Sequence, residues 1–112
     1  MTKEEYLKKE KEIKMINESN IHFLRLQYAN KNSKFKEGEF ITHLMQSERD
    51  NSIFKINLIT YVMYQDNIEI LYSGYIYNLN KNKKTLTYSK RKANILESYA
   101  TKFNIDNIKI ID

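Results

Sequence analysis

The residues from 54 to 92 constrain the fold more than any other part of the chain. Apolar side chains recur there at alternate positions, on both sides of two short polar breaks at 65–67 and 80–84. Because successive side chains of a strand point to opposite faces of a sheet, this period of two predicts antiparallel strands joined by hairpin loops. We place the strands at residues 54–64, 68–79 and 85–89.

The lengths of the two breaks predict one consistent register. A loop at 65–67 pairs Tyr64 with Ile68, and a loop at 80–84 pairs Leu79 with Thr85. Apolar residues at even positions then share one face. The odd face is also partly apolar, and it carries Ile59, Tyr61, Met63, Leu71, Tyr75 and Tyr77. A sheet that is apolar on both sides needs cover on both sides, so we expect a helix, a second copy of the chain or another partner there.

The segments before the sheet are predicted to be mainly helical. Residues 3–18 lack glycine and proline and place glutamates four positions before lysines, which stabilises a surface helix. Residues 21–28 fit either an extension of this helix or a strand. A loop is expected over 30–38, and a short amphipathic helix over 39–50.

The segments after the sheet predict a second helix and a final strand. Ser89 is a favourable N-cap for a helix over 90–103, and residues 107–111 fit a strand. We therefore expect a single α+β domain over 1–112, with a three- to four-stranded antiparallel meander whose fourth strand is 107–111 or 21–28. The element order is αβββα, or ferredoxin-like if 21–28 is a strand. An arrangement similar to cystatin-like or NTF2-like domains, in which a sheet wraps a helix, is a third option.

The composition argues against an enzyme. There is no cysteine, and the two histidines, His22 and His43, lie in separate segments without metal-ligand spacing. The two glycines, Gly38 and Gly74, cannot form a glycine-rich phosphate loop. No nucleophile, base and acid are arranged as a triad. We expect a non-enzymatic binding protein without a metal or cofactor and without a small-molecule substrate.

Location is predicted from the charged N-terminus and the lack of a long apolar run, and the kind of source genome from the amino-acid composition. The N-terminus is charged and no apolar run is long enough for a membrane span, which predicts a cytoplasmic protein with no membrane contact. The abundance of Lys, Asn, Ile and Tyr is typical of a low-GC bacterium or one of its phages.

One cluster of charge stands out from the basic background. Six cations occur between residues 81 and 92 without an intervening acid: Lys81, Lys83, Lys84, Lys90, Arg91 and Lys92. If residue 90 begins a helix, the last three surround its N-terminus, where backbone N–H groups also attract anions. This pattern predicts a nucleic-acid or nucleoprotein interface made of phosphate contacts along one basic edge.

Two short resemblances point in the same direction. Ser89, Lys90, Arg91 and Ala93 resemble the helix start with which double-stranded-RNA-binding domains contact phosphates. Thr85 stands where that family usually has a glycine. In a ferredoxin-like frame, Tyr75 and Tyr77 are similar to the base-stacking aromatics of RNA-binding sheets.

A protein partner is the alternative prediction. The odd face offers Tyr61, Met63, Tyr75 and Tyr77, and tyrosine and methionine are frequent in protein interfaces. In that case the chain is an inhibitor, immunity or accessory protein of a phage or mobile element, or it forms a homodimer through this face.

Overall fold

The computed structural model describes residues 2–46 and 50–112. Within them the chain forms one α-helix, six strands and one 3₁₀ turn, so the α+β class is confirmed. The elements are α1 (Lys3–Asn32), β1 (Phe40–His43), β2 (Ser52–Tyr64), β3 (Asn67–Leu79), β4 (Thr85–Leu96), the 3₁₀ turn Glu97–Tyr99, β5 (Ala100–Lys102) and β6 (Lys109–Ile111).

The predicted N-terminal helix is found, and it is longer than expected. It begins after the Thr2 N-cap, whose side chain accepts a hydrogen bond from the Glu5 N–H, and it runs to Asn32. The strand alternative for 21–28 is therefore wrong. The short helix predicted over 39–50 is also wrong, because Phe40–His43 is β1 and pairs with two neighbouring strands. Residues 47–49 of that segment lie outside the described residues.

The second helix, predicted over 90–103, is wrong as well. β4 continues through Leu96, and residues 91–96 pair with β3 along their whole length. The apolar residues of this segment satisfy both a helical and an alternating pattern, and pairing with β3 decides in favour of the strand. Without a second α-helix among the described residues, neither the αβββα nor the ferredoxin-like order is found.

The predicted strands are close to the observed ones, but their register is different. Tyr64 pairs with Asn67 across a two-residue turn with Gln65 at a positive φ of 55°, and Leu79 pairs with Leu86. Two bulges then shift the register again, one at Asn57 in β2 and one at residues 89–90 in β4. The final strand pairs in parallel with β4.

The sheet is rolled, as its connections show. The strand order is β5-β1-β2-β3-β4-β6, yet only the 3₁₀ turn separates β4 from β5. In a flat sheet these two strands would lie about 19 Å apart, at about 4.8 Å per neighbour. Four residue steps from Leu96 to Ala100 reach about 14 Å at most. The sheet must therefore curl until β4 approaches β5.

The two faces of this roll each carry an apolar cluster. On the inner face, Ile41, Phe54, Ile56, Ile59 and Tyr72 pack together with Ala29 from the end of α1. On the outer face, a second cluster is covered by the segment after β5; it consists of Phe40, Ile53, Tyr77 and Leu86 beneath Phe103, Ile108 and Ile110. Each fully buried side chain of this kind contributes about 1.5–3 kcal/mol.

A buried tyrosine connects the parts of the roll. The Tyr72 hydroxyl, in β3, donates to Glu97 Oε2 at 2.7 Å and accepts from the Phe35 N–H at 3.2 Å. The same Glu97 oxygen accepts from the Lys34 N–H at 2.9 Å. The 3₁₀ turn and the segment after α1 are thus fixed to the middle of the sheet.

Gly74 permits the tightest approach in the sheet. A Cβ atom at this position would lie 1.9 Å from the Lys55 carbonyl oxygen of β2, next to the bulge at Asn57. No side chain fits there unless β2 and β3 separate.

We therefore expect Gly74→Ala to lower the free energy of unfolding by about 3 kcal/mol or more, because the clash is with backbone rather than with a mobile side chain. Urea denaturation of both proteins measures the difference. Gly38→Ala is the matched control, because a Cβ atom at Gly38 would meet nothing within 4 Å. Its positive φ of +88° disfavours alanine, so we expect this variant to lower the free energy of unfolding by about 1–2 kcal/mol. Equal losses at the two glycines would contradict this account.

Candidate nucleic-acid interface on the outer face

The six predicted cations do not form one cluster. Lys81, Lys83 and Lys84 lie in the exposed turn between β3 and β4. Lys90, Arg91 and Lys92 lie within β4, about 20 Å further along the strand at 3.3 Å per residue. The structure thus separates a turn group from a strand group.

Ser89 has a different role from the one predicted. It caps no helix; its hydroxyl donates to the Ile76 carbonyl oxygen at 2.6 Å and accepts from the Arg91 N–H at 3.3 Å. Lys90, beside it, has a positive φ of 64°. Ser89 therefore holds the bulge of β4 in place. The expected anion site at a helix N-terminus is not formed.

The strand group occupies a sheet edge. β6 pairs only with residues 85–87 of β4. Among the described residues, no strand pairs with the edge of residues 88–96 that lies opposite β3. Lysines on such an edge discourage pairing with other chains, which is one structural role for Lys90, Arg91 and Lys92. Arg91 pairs with Ile76, and its side chain points to the inner face. The side chain of Lys92 points to the outer face.

The pairing register places an aromatic ring between two cations. Tyr75 of β3 pairs with Lys55 of β2 on one side and with Lys92 of β4 on the other. The Lys92 Nζ atom lies 5.6 Å from the centroid of the Tyr75 ring, and the Lys55 Nζ atom lies 5.8 Å from that of Phe40. We call Lys55, Tyr75 and Lys92 the cationic row. Sequence reasoning missed Lys55, since only the observed register brings it beside Tyr75.

A shallow depression adjoins the cationic row. Its volume is about 260 Å³, and none of its lining residues is acidic: they are Asn57, Leu58, Ser73, Gly74, Tyr75, Lys92, Ala93 and Asn94. The Ser73 hydroxyl donates to Asn94 Oδ1 at 2.7 Å, and the Asn94 amide N–H groups are donors that this bond does not use. The depression therefore offers amide donors and acceptors beside an aromatic ring and a cation.

Tyr75 packs against other aromatic rings of the outer cluster. Tyr88 lies 5.4 Å from Tyr75 and 5.5 Å from Tyr77 between ring centroids. Tyr77 in turn meets the edge of Phe40 at 5.5 Å and is only 2% exposed. Tyr75 is thus the half-buried outer member of an aromatic cluster, and Tyr77 is one of its buried members.

The other two predicted partner-binding residues lie elsewhere. Tyr61 packs against the inner cluster and contacts α1, where His22 Nδ1 lies 2.5 Å from its hydroxyl and Arg25 lies 5.9 Å above its ring. Met63, two positions further along β2, shares that side. The bulge at Asn57 separates Tyr61 and Met63 from Tyr75 and Tyr77, so the four do not form one surface.

Other kinds of site have little support in the described part of the chain. It contains no group of three or more His, Asp or Glu side chains that could hold a metal ion. None of its helices combines the length and apolarity needed to cross a membrane. No protein-family model matches the sequence, and no curated protein or solved structure is significantly similar to it.

Tyr77 makes the stability of the outer cluster sensitive to alkaline pH. Burial, together with a hydrogen bond from its hydroxyl to Asp112, raises the pKa of Tyr77 to about 12 from its ordinary value of 10. A raised pKa favours the protonated folded state, so this stabilisation is complete below pH 10 and is lost between about pH 10 and 12.

We expect the free energy of unfolding to fall through this window, and Tyr77→Phe to make that fall shallower by up to about 1 kcal/mol per pH unit. Urea denaturation at a series of pH values measures both slopes. Tyr6→Phe, on the exposed part of α1, is the control and should leave the slope unchanged. If the two variants and the parent protein show the same slope, Tyr77 has no such effect.

Proposed function

We propose that this protein is a non-enzymatic binding protein for single-stranded nucleic acid, and that it binds on the outer face at the cationic row. The observation that carries the proposal is the placement of Tyr75 between Lys55 and Lys92 by direct strand pairing. Aromatic rings on open sheets stack with unpaired bases, and flanking lysines attract the phosphates on either side.

The surroundings of Tyr75 favour a single strand over a duplex. A base can reach the ring only if it is not already stacked and paired inside a helix. The polar side chains of Asn57, Ser73 and Asn94 lie beside the ring, where the edge of a stacked base would meet them. The Lys92 amine, now above the ring, would move aside to a phosphate as the base takes its place.

The charge distribution extends the binding path along β4. The chain has a formal net charge of +5, and the depression beside Tyr75 has no acidic lining residue. From Lys92 the strand leads past Lys90 to the turn group of Lys81, Lys83 and Lys84. Because β6 pairs with residues 85–87, a nucleic-acid strand would have to cross β6 to contact both groups of cations, and its affinity would depend strongly on salt.

The alternative function, binding of a protein through a tyrosine-rich sheet face, has weaker support. It requires Tyr61, Met63, Tyr75 and Tyr77 on one surface, and these residues occupy two. Most of the exposed large apolar side chains are on α1 instead.

Binding is tested by fluorescence anisotropy with labelled single-stranded and double-stranded oligonucleotides of the same sequence. We expect tighter binding to the single strand and an affinity that falls steeply between about 50 and 300 mM salt. Tyr75→Leu should weaken single-strand binding by about 5- to 150-fold, the equivalent of about 1–3 kcal/mol of stacking. Lys92→Gln should weaken it and reduce the slope of log affinity against log salt by about 0.7.

Lys31→Gln is the matched control for Lys92→Gln, because it removes the same charge from an exposed position in the last turn of α1. It should leave affinity and salt slope close to those of the parent protein. Affinity that is insensitive to salt, or unaffected by Tyr75→Leu, would refute the proposal. Equal binding to the duplex that depends only on the turn group would replace it with a phosphate-only interface.

A further inference from the structure

The N-terminal part of α1 projects away from the sheet. The helix has 30 residues, or about 45 Å at 1.5 Å per residue, and the molecule measures 72 × 25 × 21 Å. Every side chain from residue 2 to residue 24 is exposed, and His22 makes the first hydrogen bond to the sheet. About 28 Å of helix therefore extends beyond the folded domain.

A helix of this kind gains little stability on its own. Isolated helices are marginal in water even when rich in alanine, and most helices in proteins are stabilised by packing one face against a partner. In this protein only Ala29, near the far end of α1, is buried. Among the described residues of the single chain, the projecting part thus finds none of the packing that normally stabilises a helix.

The projecting part carries an ordered apolar stripe on the side away from the sheet. Its members are Tyr6, Ile13, Ile16 and Phe23, each between 57% and 62% exposed. With Lys9 and Asn20 they follow the alternating spacing of three and four that forms a coiled-coil seam. At about 100° per residue this seam lies opposite His22, Arg25 and Ala29, which face the sheet. The seam can be covered without disturbing the docking of α1.

We propose that this seam pairs with the seam of a second copy of the chain in antiparallel orientation, which makes the protein a homodimer. Antiparallel alignment places Ile13 against Ile16 of the second copy and Tyr6 against its Phe23. It also places Lys9 against the Asn20 amide of the second copy. Every apolar position then meets an apolar one, and the charged position meets a neutral polar group that can accept its hydrogen bond.

Charge argues against the parallel arrangement. Two parallel copies in register would bring Lys9 against Lys9 inside the seam and Glu5 beside Glu10 of the second copy at its edge. Like charges at such positions are destabilising. In the antiparallel register, the glutamates beside the seam, Glu5, Glu10 and Glu12, meet uncharged residues of the second copy. The sequence of the seam is therefore self-complementary in only one direction.

The surface available is sufficient for a weak to moderate dimer. Four apolar side chains on each copy, at roughly 100 Å² each, together with the aliphatic stems of flanking lysines, bury about 1,000 Å² in total. This is near the lower limit for specific protein interfaces. The dimer also forms independently of nucleic acid, because the cationic row lies on the sheet and takes no part in it.

Sedimentation equilibrium of the full chain from about 1 to 100 µM tests the association. We expect a monomer–dimer equilibrium, and a dissociation constant at least about 100-fold weaker for Ile16→Glu. Met15→Glu is the matched control: the two neighbours are 60% and 58% exposed, but Met15 lies outside the seam. It should change the dissociation constant by less than about 3-fold, and Tyr75→Leu should not change it.

Orientation is tested by disulfide formation, since the chain has no cysteine of its own. An equimolar mixture of the variants Lys9→Cys and Asn20→Cys should form a disulfide-linked heterodimer under mild oxidation, and Lys9→Cys alone should form little. A protein that stays monomeric at all concentrations would overturn the proposal, as would equal effects of Ile16→Glu and Met15→Glu. Efficient crosslinking of Lys9→Cys with itself would overturn the antiparallel orientation.

Discussion

The structure depends on the short connection between β4 and β5. Because only Glu97–Tyr99 separate two strands that lie far apart in the sheet order, the sheet can form only as a roll. The roll encloses the inner cluster around Tyr72, and the Tyr72–Glu97 hydrogen bond fixes the connection to the centre of the sheet. The end of α1 then packs on the inner cluster through Ala29, which sets the direction in which the rest of the helix projects.

The same curvature determines which side chains reach the outer face. Gly74 allows the close approach of β2 and β3, and the bulge at Asn57 reverses the sides to which β2 points its residues. Tyr61 is consequently turned towards α1, while Tyr75 remains outside between Lys55 and Lys92. The arrangement of the candidate site is thus a consequence of how the sheet bends, and a flat sheet with the same strands would not produce it.

Alternation of apolar residues was sufficient to locate β2, β3 and the start of β4, because that signal is local. It could not place the bulges, which depend on contacts between strands, so the predicted register failed. It also failed for residues 90–103, where the spacing of Ile95, Leu96, Tyr99 and Phe103 fits a helix equally well. Tyr75 and Lys92 of the cationic row could be predicted from composition and charge. Lys55 could not, because its place beside Tyr75 depends on the strand register.

The pairing of β1 with β5 has a consequence for how the protein is made. Ile41 pairs with Lys102, so β1 can be completed on this side only by residues that are synthesised about 60 positions later. On the ribosome, β2 and β3 can form their hairpin early, but β1 lacks its second neighbour until residues 100–102 have emerged. Contacts of such wide sequence separation slow folding and leave strand edges open in the meantime.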